Sequence, residues 1–300
     1  MRNGISISTQ SLQRVYGDIG ALDIAKKLGV DAVDFFTNCY FCEKPDSVYS
    51  KSDREIYEYF LGIKRHADSL GLAIGQTHGR LRIFWNDEKK DKYCLENARL
   101  DVLAAKALGA PVCVMHGMNS SVFKVVPKKE LLYEMVALRF EKILSYSNEY
   151  GVDIAMETSG FMDSTGELEY FAPASNFKDF YGYVKKNLPN SERFKICVDT
   201  GHVNTAVRFG NPTPADFIRL CKGDIAAVHL HDNPGDHDMH LPMLCGNIDW
   251  ADVFSALREI NFEGYYNLEV DFDKFGAGLE YDTAEFSIKI LLNILKRLGV

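Results

Sequence analysis

The chain repeats one pattern of apolar and polar positions about every 40 residues. In KKLGV, DSLGLAI, KALGAPV and NEYGVDI, the end of an amphipathic segment is followed by a glycine and then by an apolar run. A glycine at this place supplies the left-handed residue that closes a helix. A fixed period of this size indicates repeated structural units. Each unit is therefore predicted to consist of a helix, a turn and a strand.

Extended over the whole chain, the pattern predicts eight strands that alternate with eight helices. The predicted strands are Ile5–Ser8, Ala32–Phe36, Ala73–Thr77, Val112–His116, Asp153–Glu157, Lys195–Asp199, Ala226–Leu230 and Tyr265–Val270. The predicted helices lie near 19–28, 53–70, 90–108, 128–150, 175–187, 214–222, 250–260 and 282–298. Such alternation favours a parallel sheet covered by helices, and 300 residues suit an α/β barrel, which typically has about 250. We expect an α/β fold, a single (β/α)8 TIM barrel, with residues 1–300 as one domain.

Composition narrows the classes of function that this barrel can serve. Hydrophobic residues make up 46% of the chain, and the net charge is −8. The acidic balance argues against nucleic acid and anionic membranes as partners, because Lys and Arg drive binding to both. No apolar run approaches the roughly 20 residues that span a bilayer, and MRNGISISTQ lacks the apolar region of a signal peptide. With seven cysteines scattered among apolar residues, as is usual for reduced buried thiols, we expect a cytoplasmic protein.

Candidate chemistry gathers at the carboxyl ends of the predicted strands. Six of the eight strands deliver His, Asp or Glu there or in the loop that follows. These residues are His78, His116, Glu157, Asp199, His202, His229, His231, Asp238, His240 and Glu269. In a barrel all the carboxyl ends open on one face, which carries the active site in barrel enzymes. We therefore expect these side chains to converge.

A convergent set of this kind points to a divalent metal. Carboxylates gathered closely repel one another, and burial raises their pKa values, so a cation removes both costs. A mixture of imidazole and carboxylate suits Zn, Mn, Fe or Co, whereas an all-oxygen set would suggest Mg or Ca. Each residue taken singly has a plainer interpretation, such as a hydrogen-bonded histidine at a strand end. The prediction of a metal site therefore depends on the whole set.

Several motifs make the chain resemble the xylose-isomerase-like TIM barrel superfamily. They are MET at the fifth predicted strand, DTGH at the sixth, HLHDN at the seventh, HLP…GNIDW after it, and LEV at the eighth. The superfamily contains sugar phosphate isomerases and epimerases, ketose 3-epimerases, inosose dehydratases and endonuclease IV proteins. The resemblance covers nearly the whole chain.

The resemblance implies a metal-dependent isomerase or epimerase of a sugar, a sugar phosphate or a polyol. Its cofactor is a divalent metal, with Mn expected first and Zn, Co, Fe or Mg as alternatives. The metal positions of the single-metal epimerases correspond here to Glu157, Asp199, His229 and Glu269. By the same resemblance Glu157 and Glu269 are catalytic. One carboxylate removes a proton beside a carbonyl, and the other returns a proton to the opposite face of the metal-stabilised enediolate.

The remaining polar residues are expected to contact a further metal or the substrate. His202 matches a position that contacts substrate, His240 stands where the epimerases carry a basic residue, and His231 is expected behind the ligands or at the rim. Many related enzymes are dimers or tetramers, so a homo-oligomer is an open expectation. Aromatic residues near the rim are expected to wall a sugar pocket. They are Phe36, Tyr40, Phe41, Phe84, Trp85 and Phe161.

Three other functions stay open at this point. Endonuclease IV proteins hold three metals, and their extra positions correspond to His78, His116, His202, Asp238 and His240, which all carry suitable side chains. Against such a phosphodiesterase stand the acidic composition and the lack of basic loops that would grip a nucleotide. A dehydratase of the inosose type would use the same metal and base. A carbohydrate-binding barrel without catalysis is the third alternative.

Overall fold

Eight parallel strands close into a barrel in the computed structural model, which describes residues 3–118, 120–123, 125–162 and 166–299. The strands in these residues are β1 (Ile5–Ser8), β2 (Ala32–Phe36), β3 (Ala73–His78), β4 (Val112–Met115), β5 (Asp153–Glu157), β6 (Phe161–Met162), β7 (Glu167–Leu168), β8 (Phe194–Asp199), β9 (Ile225–Leu230) and β10 (Tyr266–Leu268). The barrel order is β1, β2, β3, β4, β5, β8, β9, β10 and back to β1, while β6 and β7 form a separate antiparallel hairpin. The predicted single (β/α)8 TIM barrel is confirmed.

Helices connect successive barrel strands, as the repeated pattern predicts. Those in the described residues are α1 (Gln10–Leu28), α2 (Asp53–Ser69), α3 (Glu88–Leu108), α4 (Lys129–Tyr150), α5 (Ala174–Asn187), α6 (Thr200–Val207), α7 (Pro214–Leu220), α8 (Trp250–Glu259) and α9 (Glu280–Leu298). Gly29, Gly109 and Gly151 end α1, α3 and α4 with φ of 77°, 69° and 73°. Their left-handed backbone is the helix-closing role that the sequence predicts. Within the described residues, no helix is both long and apolar enough to cross a membrane.

Two helical segments differ from the sequence prediction. The first helix was expected near residue 19 but begins at Gln10, and Gly17 interrupts it with a non-helical backbone. The short α6 was not predicted at all, because eight residues carry too little periodicity to stand out. It starts directly where β8 ends, and the side chain of Asp199 caps it by accepting a hydrogen bond from the backbone N–H of His202 at 2.6 Å. The DTGH motif is therefore a strand end joined to a helix start.

The inside of the barrel is filled by small apolar side chains. Val112, Val114, Ala155, Cys197 and Ala227 form a cluster that is separate from the large core between strands and helices. Side chains two positions apart on a strand point to the same side. Ala155, Cys197 and Ala227 are therefore followed, on the same inner side, by the candidate residues at positions 157, 199 and 229. The apolar filling ends where the polar cluster begins.

Candidate functional site

Four buried side chains from four strands meet at the carboxyl end of the barrel. His78, Glu157, His229 and Glu269 each offer a ligand atom, and these atoms lie within 4.8 Å of one another. His78 Nε2 lies 3.3 Å from Glu157 Oε2 and 3.3 Å from Glu269 Oε1. His229 Nδ1 lies 3.4 Å from Glu157 Oε1 and 3.0 Å from Glu269 Oε2. We call these four residues the central cluster; two imidazoles stand between its two carboxylates.

Asp199 lies beside the central cluster rather than within it. Its carboxylate is 4.0 Å from His229 Nδ1 but 3.0 Å from His231 Nε2. The cap on α6 engages the same carboxylate. Asp199 also forms a group of potential metal ligands with Glu157 and His202. By distance, His78 is therefore the fourth member of the cluster, whereas the family resemblance implies Asp199.

Four further side chains that could bind a metal adjoin the central cluster. His116 Nε2 approaches Glu157 Oε2 at 3.0 Å. Asp238 Oδ2 lies 3.1 Å from His202 Nε2 and 3.3 Å from His240 Nε2, and these three residues could hold an ion of their own. The structure thus brings together all the candidate residues that the sequence singles out.

His231 is fully buried, and its ring stacks on that of His240 with a centroid separation of 3.9 Å. It therefore lies behind Asp199 and not at an exposed rim. The first helical turn of α6 passes so close that a side chain at Gly201 would overlap the His231 ring. The glycine of DTGH is thus explained by close approach of backbone to side chain.

Charges of opposite sign shift the pKa values across the central cluster. Burial raises the pKa of Glu157, but the neighbouring His116 and His229 outweigh it and hold that pKa well below its usual range. The pKa of Glu269 is likewise held well below its usual range against burial, by His229 and His78. Burial lowers the pKa of His78, yet Glu157 and Glu269 raise it to about 10. At neutral pH the carboxylates are therefore ionised and His78 is protonated in the metal-free protein.

Several buried atoms of the central cluster are left without a hydrogen bond. Among the described residues, both oxygens of Glu157, Oε2 of Glu269 and Nδ1 of His229 have no hydrogen-bond partner. Buried polar atoms usually find partners, because leaving one unpaired costs about 1–3 kcal/mol. Oppositely charged groups do lie 3.0–3.4 Å away, but their geometry is not that of hydrogen bonds. A metal site requires ligand atoms that converge without hydrogen-bond partners, as these atoms do.

A second layer of polar residues supports His229 from below. Asp34 on β2 is fully buried, and its Oδ2 lies 3.3 Å from His229 Nε2. Gln76 and Asn267 donate hydrogen bonds to the same oxygen at 3.0 and 3.2 Å. Nε2 of His229 faces Asp34 and lies 2.9 Å from the side-chain nitrogen of Gln76, so Nδ1 is the nitrogen that faces the carboxylates. Asp34 is not among the predicted site residues, although a charged residue inside the apolar run AVDFF indicates a special role.

A cavity of about 130 Å³ lies at the edge of the central cluster, where His116 and His202 contact Glu157 at 3.0 and 3.2 Å. Its lining includes His116, His202, Asp238 and the buried Glu169, and Phe161 contributes an aromatic wall. Glu169 was also missed by the sequence analysis. It accepts hydrogen bonds from the backbone N–H and the hydroxyl of Ser120 at 2.6 and 2.8 Å, which fix its carboxylate at the cavity.

The aromatic residues expected around a sugar pocket lie in several places. Phe161 lines the cavity at the edge of the cluster, and Phe41 and Trp85 line a larger neighbouring cavity. Phe84 is 1% exposed and packs in the core, and the cavity that it borders is a third one, beside α3 and α4. Its apolar neighbour Ile83 is buried with it, and the sequence offered no period that separates core from pocket in this loop.

Comparison with known families assigns the chain to one of them. The sequence profile of the family described as xylose isomerase-like TIM barrel matches residues 22–296. The chain belongs to this family. A curated relative in Sinorhizobium fredii (strain NBRC 101917 / NGR234), uncharacterized protein y4fM, is 28% identical over 178 residues, 59% of this chain. The match spans 52% of that protein, so the chain covers about half the length of this relative.

Solved structures of similar fold cover almost all of this member of the xylose isomerase-like family. A D-tagatose 3-epimerase-like protein has a TM-score of 0.74 and 20% identity, covering 99% of this chain and 98% of that one. The IOLI protein, solved with a binding zinc atom, has a TM-score of 0.73 and 16% identity, covering 98% and 99%. At such identities the likeness establishes the fold.

Part of the family motif HLHDN…GNIDW has a structural role in this chain. Asp232 is fully buried and accepts hydrogen bonds from the indole N–H of Trp250 at 2.9 Å and the backbone N–H of Ile248 at 3.3 Å. A side chain at Gly246 would overlap Asp232 and Asn233. These contacts hold the loop after β9, which carries Asp238 and His240 over the barrel.

Proposed function

We propose that this protein is a metal-dependent isomerase or epimerase of a sugar, a sugar phosphate or a polyol. The observation that carries the proposal is the pair of buried carboxylates, Glu157 and Glu269, which face each other across His78 and His229 at distances of 3.0–3.4 Å. Moving a proton from one face of a carbon to the other needs two such groups. The D-tagatose 3-epimerase-like neighbour supports this reaction class.

The residues fit a divalent metal. Glu157, His229 and Glu269 would hold it, with the fourth ligand coming from Asp199, as the resemblance implies, or from His78, as the distances favour. The donor set of imidazole and carboxylate suits Mn, Zn, Fe and Co, and the zinc of the IOLI neighbour supports an ion here. When bound, such a cation stabilises negative charge that develops on a substrate carbonyl oxygen.

The two glutamates perform the proton transfer. Both are ionised at neutral pH because nearby imidazoles hold their pKa values down, and an ionised carboxylate is the form that accepts a proton. The ionised one removes the proton from the carbon beside the carbonyl and becomes protonated, while the other, after taking up a proton from solvent, returns it to the opposite face; the first then loses its proton to solvent, which restores the starting state. Burial at 1% and 5% exposure keeps bulk water from competing with that return.

Hydrogen exchange tests this function. The protein, loaded with Mn²⁺, is incubated in deuterated water with a panel of sugars, sugar phosphates and polyols, and products are followed by NMR. Deuterium at one carbon of a substrate, with an isomer or epimer as product, is expected. A product that has lost water would instead show the dehydratase, and absence of exchange into every compound would contradict the proposal.

Metal binding is expected to release protons. His78 carries a proton at neutral pH, since its pKa is about 10 in the metal-free protein, and a cation in the central cluster competes with that proton. Affinity should therefore fall about tenfold per pH unit for each proton displaced, as pH is lowered from about 8 to about 6. Calorimetry in buffers of different ionisation enthalpy counts the protons. A His78→Gln protein should release fewer, and equal release would contradict this assignment.

Asp34 is expected to strengthen metal binding through His229. An Asp34→Asn change keeps the shape but removes the negative charge that faces Nε2 of His229, and loss of such a partner typically weakens metal binding about 10–100-fold. Asp31→Asn, one residue before the same strand, is the matched control because Asp31 contacts the backbone of Ile5 instead. Metal affinities are measured by competition with a chelator. Equal affinities for the two variants would contradict the role of Asp34.

One observation favours a second candidate, a phosphodiesterase of the endonuclease IV type. The group of His202, Asp238 and His240, together with His116 beside Glu157, offers positions for more than one ion. Mass spectrometry of the native protein distinguishes the two functions. Three tightly held zinc ions and cleavage of DNA at an abasic site would favour the phosphodiesterase, whereas one exchangeable ion and no cleavage would favour the isomerase or epimerase.

A further inference from the structure

A larger cavity lies next to the candidate active site. It has a volume of about 440 Å³, which falls within the range of small-molecule pockets, roughly 300–1,000 Å³. Leu81 lines both this cavity and the one at the edge of the central cluster, so the two are neighbours across a single side chain. We call the larger one the β3-loop cavity, because Arg80, Leu81, Arg82 and Trp85, which follow β3, form one wall.

The lining of the β3-loop cavity is positively charged, in contrast to the acidic chain as a whole. It carries three cations, Arg80, Arg82 and Lys90, against one carboxylate, Glu43. Asn97 donates a hydrogen bond to Glu43 at 3.0 Å, so this carboxylate already has a partner. Asp101 pairs with Arg80 at 2.6 Å. Among the described residues, Arg82 and Lys90 have no ion-pair partner within 4 Å.

The Trp85 ring contacts both Arg82 and Lys90 at the cavity. The guanidinium of Arg82 lies 4.6 Å from the centre of the Trp85 ring, and the ammonium of Lys90 lies 5.1 Å from the same ring. Trp85 is therefore flanked by two positive charges that have no carboxylate within 4 Å among the described residues. An anion that binds between Arg82 and Lys90 is attracted by both charges. Little conformational entropy of the two side chains is lost, because the Trp85 ring already positions them.

Arg80 adds a second, independent sign of a missing partner. Its side chain is almost completely buried, and Nη1 has no hydrogen-bond partner among the described residues. Its Nε and Nη2 are occupied by Asp101 and by the carbonyl of Thr37. The Phe41 ring, which also lines the cavity, lies 5.1 Å from this guanidinium. The floor of the cavity thus has spare donor capacity behind an aromatic wall.

The charge in this cavity also reaches the candidate active site. Burial raises the pKa of Glu169, which lines the cavity at the edge of the central cluster, while the hydrogen bonds from Ser120 and, less strongly, the charge of Arg82 oppose that rise. One ligand could therefore extend from the cluster, past Leu81, into the β3-loop cavity. Its reacting end would lie at the glutamates and its far end beside Arg82 and Lys90.

We propose that the β3-loop cavity binds the anionic group of the substrate, so that this protein acts on a sugar that carries a phosphate or a carboxylate. The inference builds on the proposed function and narrows its substrate class. Arg82 and Lys90 bind the anion, while Trp85 and Phe41 pack against the carbon skeleton. A phosphate and a carboxylate share this chemistry, and the experiment separates them.

Binding is measured by equilibrium titration. Phosphorylated hexoses and pentoses, hexuronates and their neutral parent sugars are titrated into the wild-type protein and into Glu269→Gln, and the variant, which is expected not to turn substrate over, checks the wild-type affinities. The chain has two tryptophans; Trp85 lines the cavity, whereas Trp250 is buried elsewhere and bonded to Asp232. Tryptophan emission therefore reports occupancy, and calorimetry gives an independent affinity. We expect at least one class of anionic sugar to bind about tenfold or more tighter than its neutral parent.

Matched variants test the assigned residues. Arg82→Gln and Lys90→Gln should each weaken binding of the anionic sugar about tenfold, and leave the neutral parent unchanged. Arg54→Gln on α2 and Lys92→Gln on α3 remove the same charges from exposed positions away from the cavity and should have no such effect. Preference for the phosphorylated sugars or for the hexuronates identifies the anion, and either preference supports the inference.

Two results would overturn it. Anionic sugars that bind no more tightly than their neutral parents would do so, as would Arg82→Gln and Lys90→Gln proteins that bind them like the wild type. Either can occur while hydrogen exchange into a neutral sugar proceeds, so failure of this inference is distinguishable from failure of the proposed function. Conversely, anion binding without any hydrogen exchange would support the assignment of the β3-loop cavity and contradict the proposed isomerase or epimerase reaction.

Discussion

A Glu157→Gln protein is expected to exchange substrate hydrogen with solvent at least about 10³-fold more slowly than the wild type. Removing a positioned acid or base typically costs 10²–10⁴-fold, and Glu157 is also a proposed metal ligand. Its two oxygens face four imidazoles, of His78, His116, His202 and His229, at 3.0–3.4 Å. The amide of glutamine keeps the size but accepts no proton. Deuterium incorporation followed by NMR, with saturating Mn²⁺, measures the loss.

Glu269→Gln should be similarly impaired, and the two variants together test the division of labour. If the glutamates work on opposite faces of the carbon, one variant retains slow exchange from one epimer and the other variant retains slow exchange from the other epimer. Glu167→Gln, an exposed carboxylate in the nearby hairpin, is the matched control and should be fully active. Wild-type exchange by Glu157→Gln with its metal still bound would refute the catalytic assignment.

The second large effect is on stability. Arg80→Met is expected to lower the free energy of unfolding by about 3–5 kcal/mol, because it leaves the buried Asp101 carboxylate without its cation. Arg80 is 2% and Asp101 is 0% exposed, and two hydrogen bonds join them at 2.6 and 3.0 Å. The hydroxyl of Tyr49 donates a third bond to Asp101 at 2.8 Å. Urea denaturation followed by circular dichroism measures the change.

A double variant separates the lost ion pair from lost packing. Arg80→Met combined with Asp101→Asn removes both charges and leaves an acceptor for Tyr49, so it should be more stable than Arg80→Met alone. Arg219→Met provides a surface comparison, because Arg219 contacts the three carboxylates of Asp216, Asp252 and Glu259 with its side chain 32% exposed, and it should change stability far less. A double variant that is no better than the single one would mean that packing, not charge, decides the loss.

The fold was largely predictable because its signals are local. The strand alternation and the helix-closing glycines operate over a few residues, and the predicted bounds of β1, β2 and β5 agree with the structure. Where the local signal fails, the prediction fails too. The non-helical backbone at Gly17 interrupts α1 near its start, and α6 is too short to show a helical period of apolar residues.

The candidate site was predictable as a set but not as an arrangement. That His78, Glu157, His229 and Glu269 would converge follows from their places at strand ends. That His78 lies within 3.3 Å of both glutamates, while Asp199 turns toward His231, does not follow from spacing. The tilt of the strands and the side-chain rotamers decide it.

By itself, the sequence determined the barrel, the face that carries the candidate site and the kinds of side chain gathered there. The reason is that the apolar periods of strands and helices, 2 and 3.6 residues, can be recognised from neighbouring positions in the chain. Only the tertiary structure decided which of those side chains touch, that Asp34 supports His229, and that Arg80, Arg82 and Lys90 line one cavity. These contacts join residues far apart in the chain, and their distances depend on how the strands close into a ring, which no local pattern encodes.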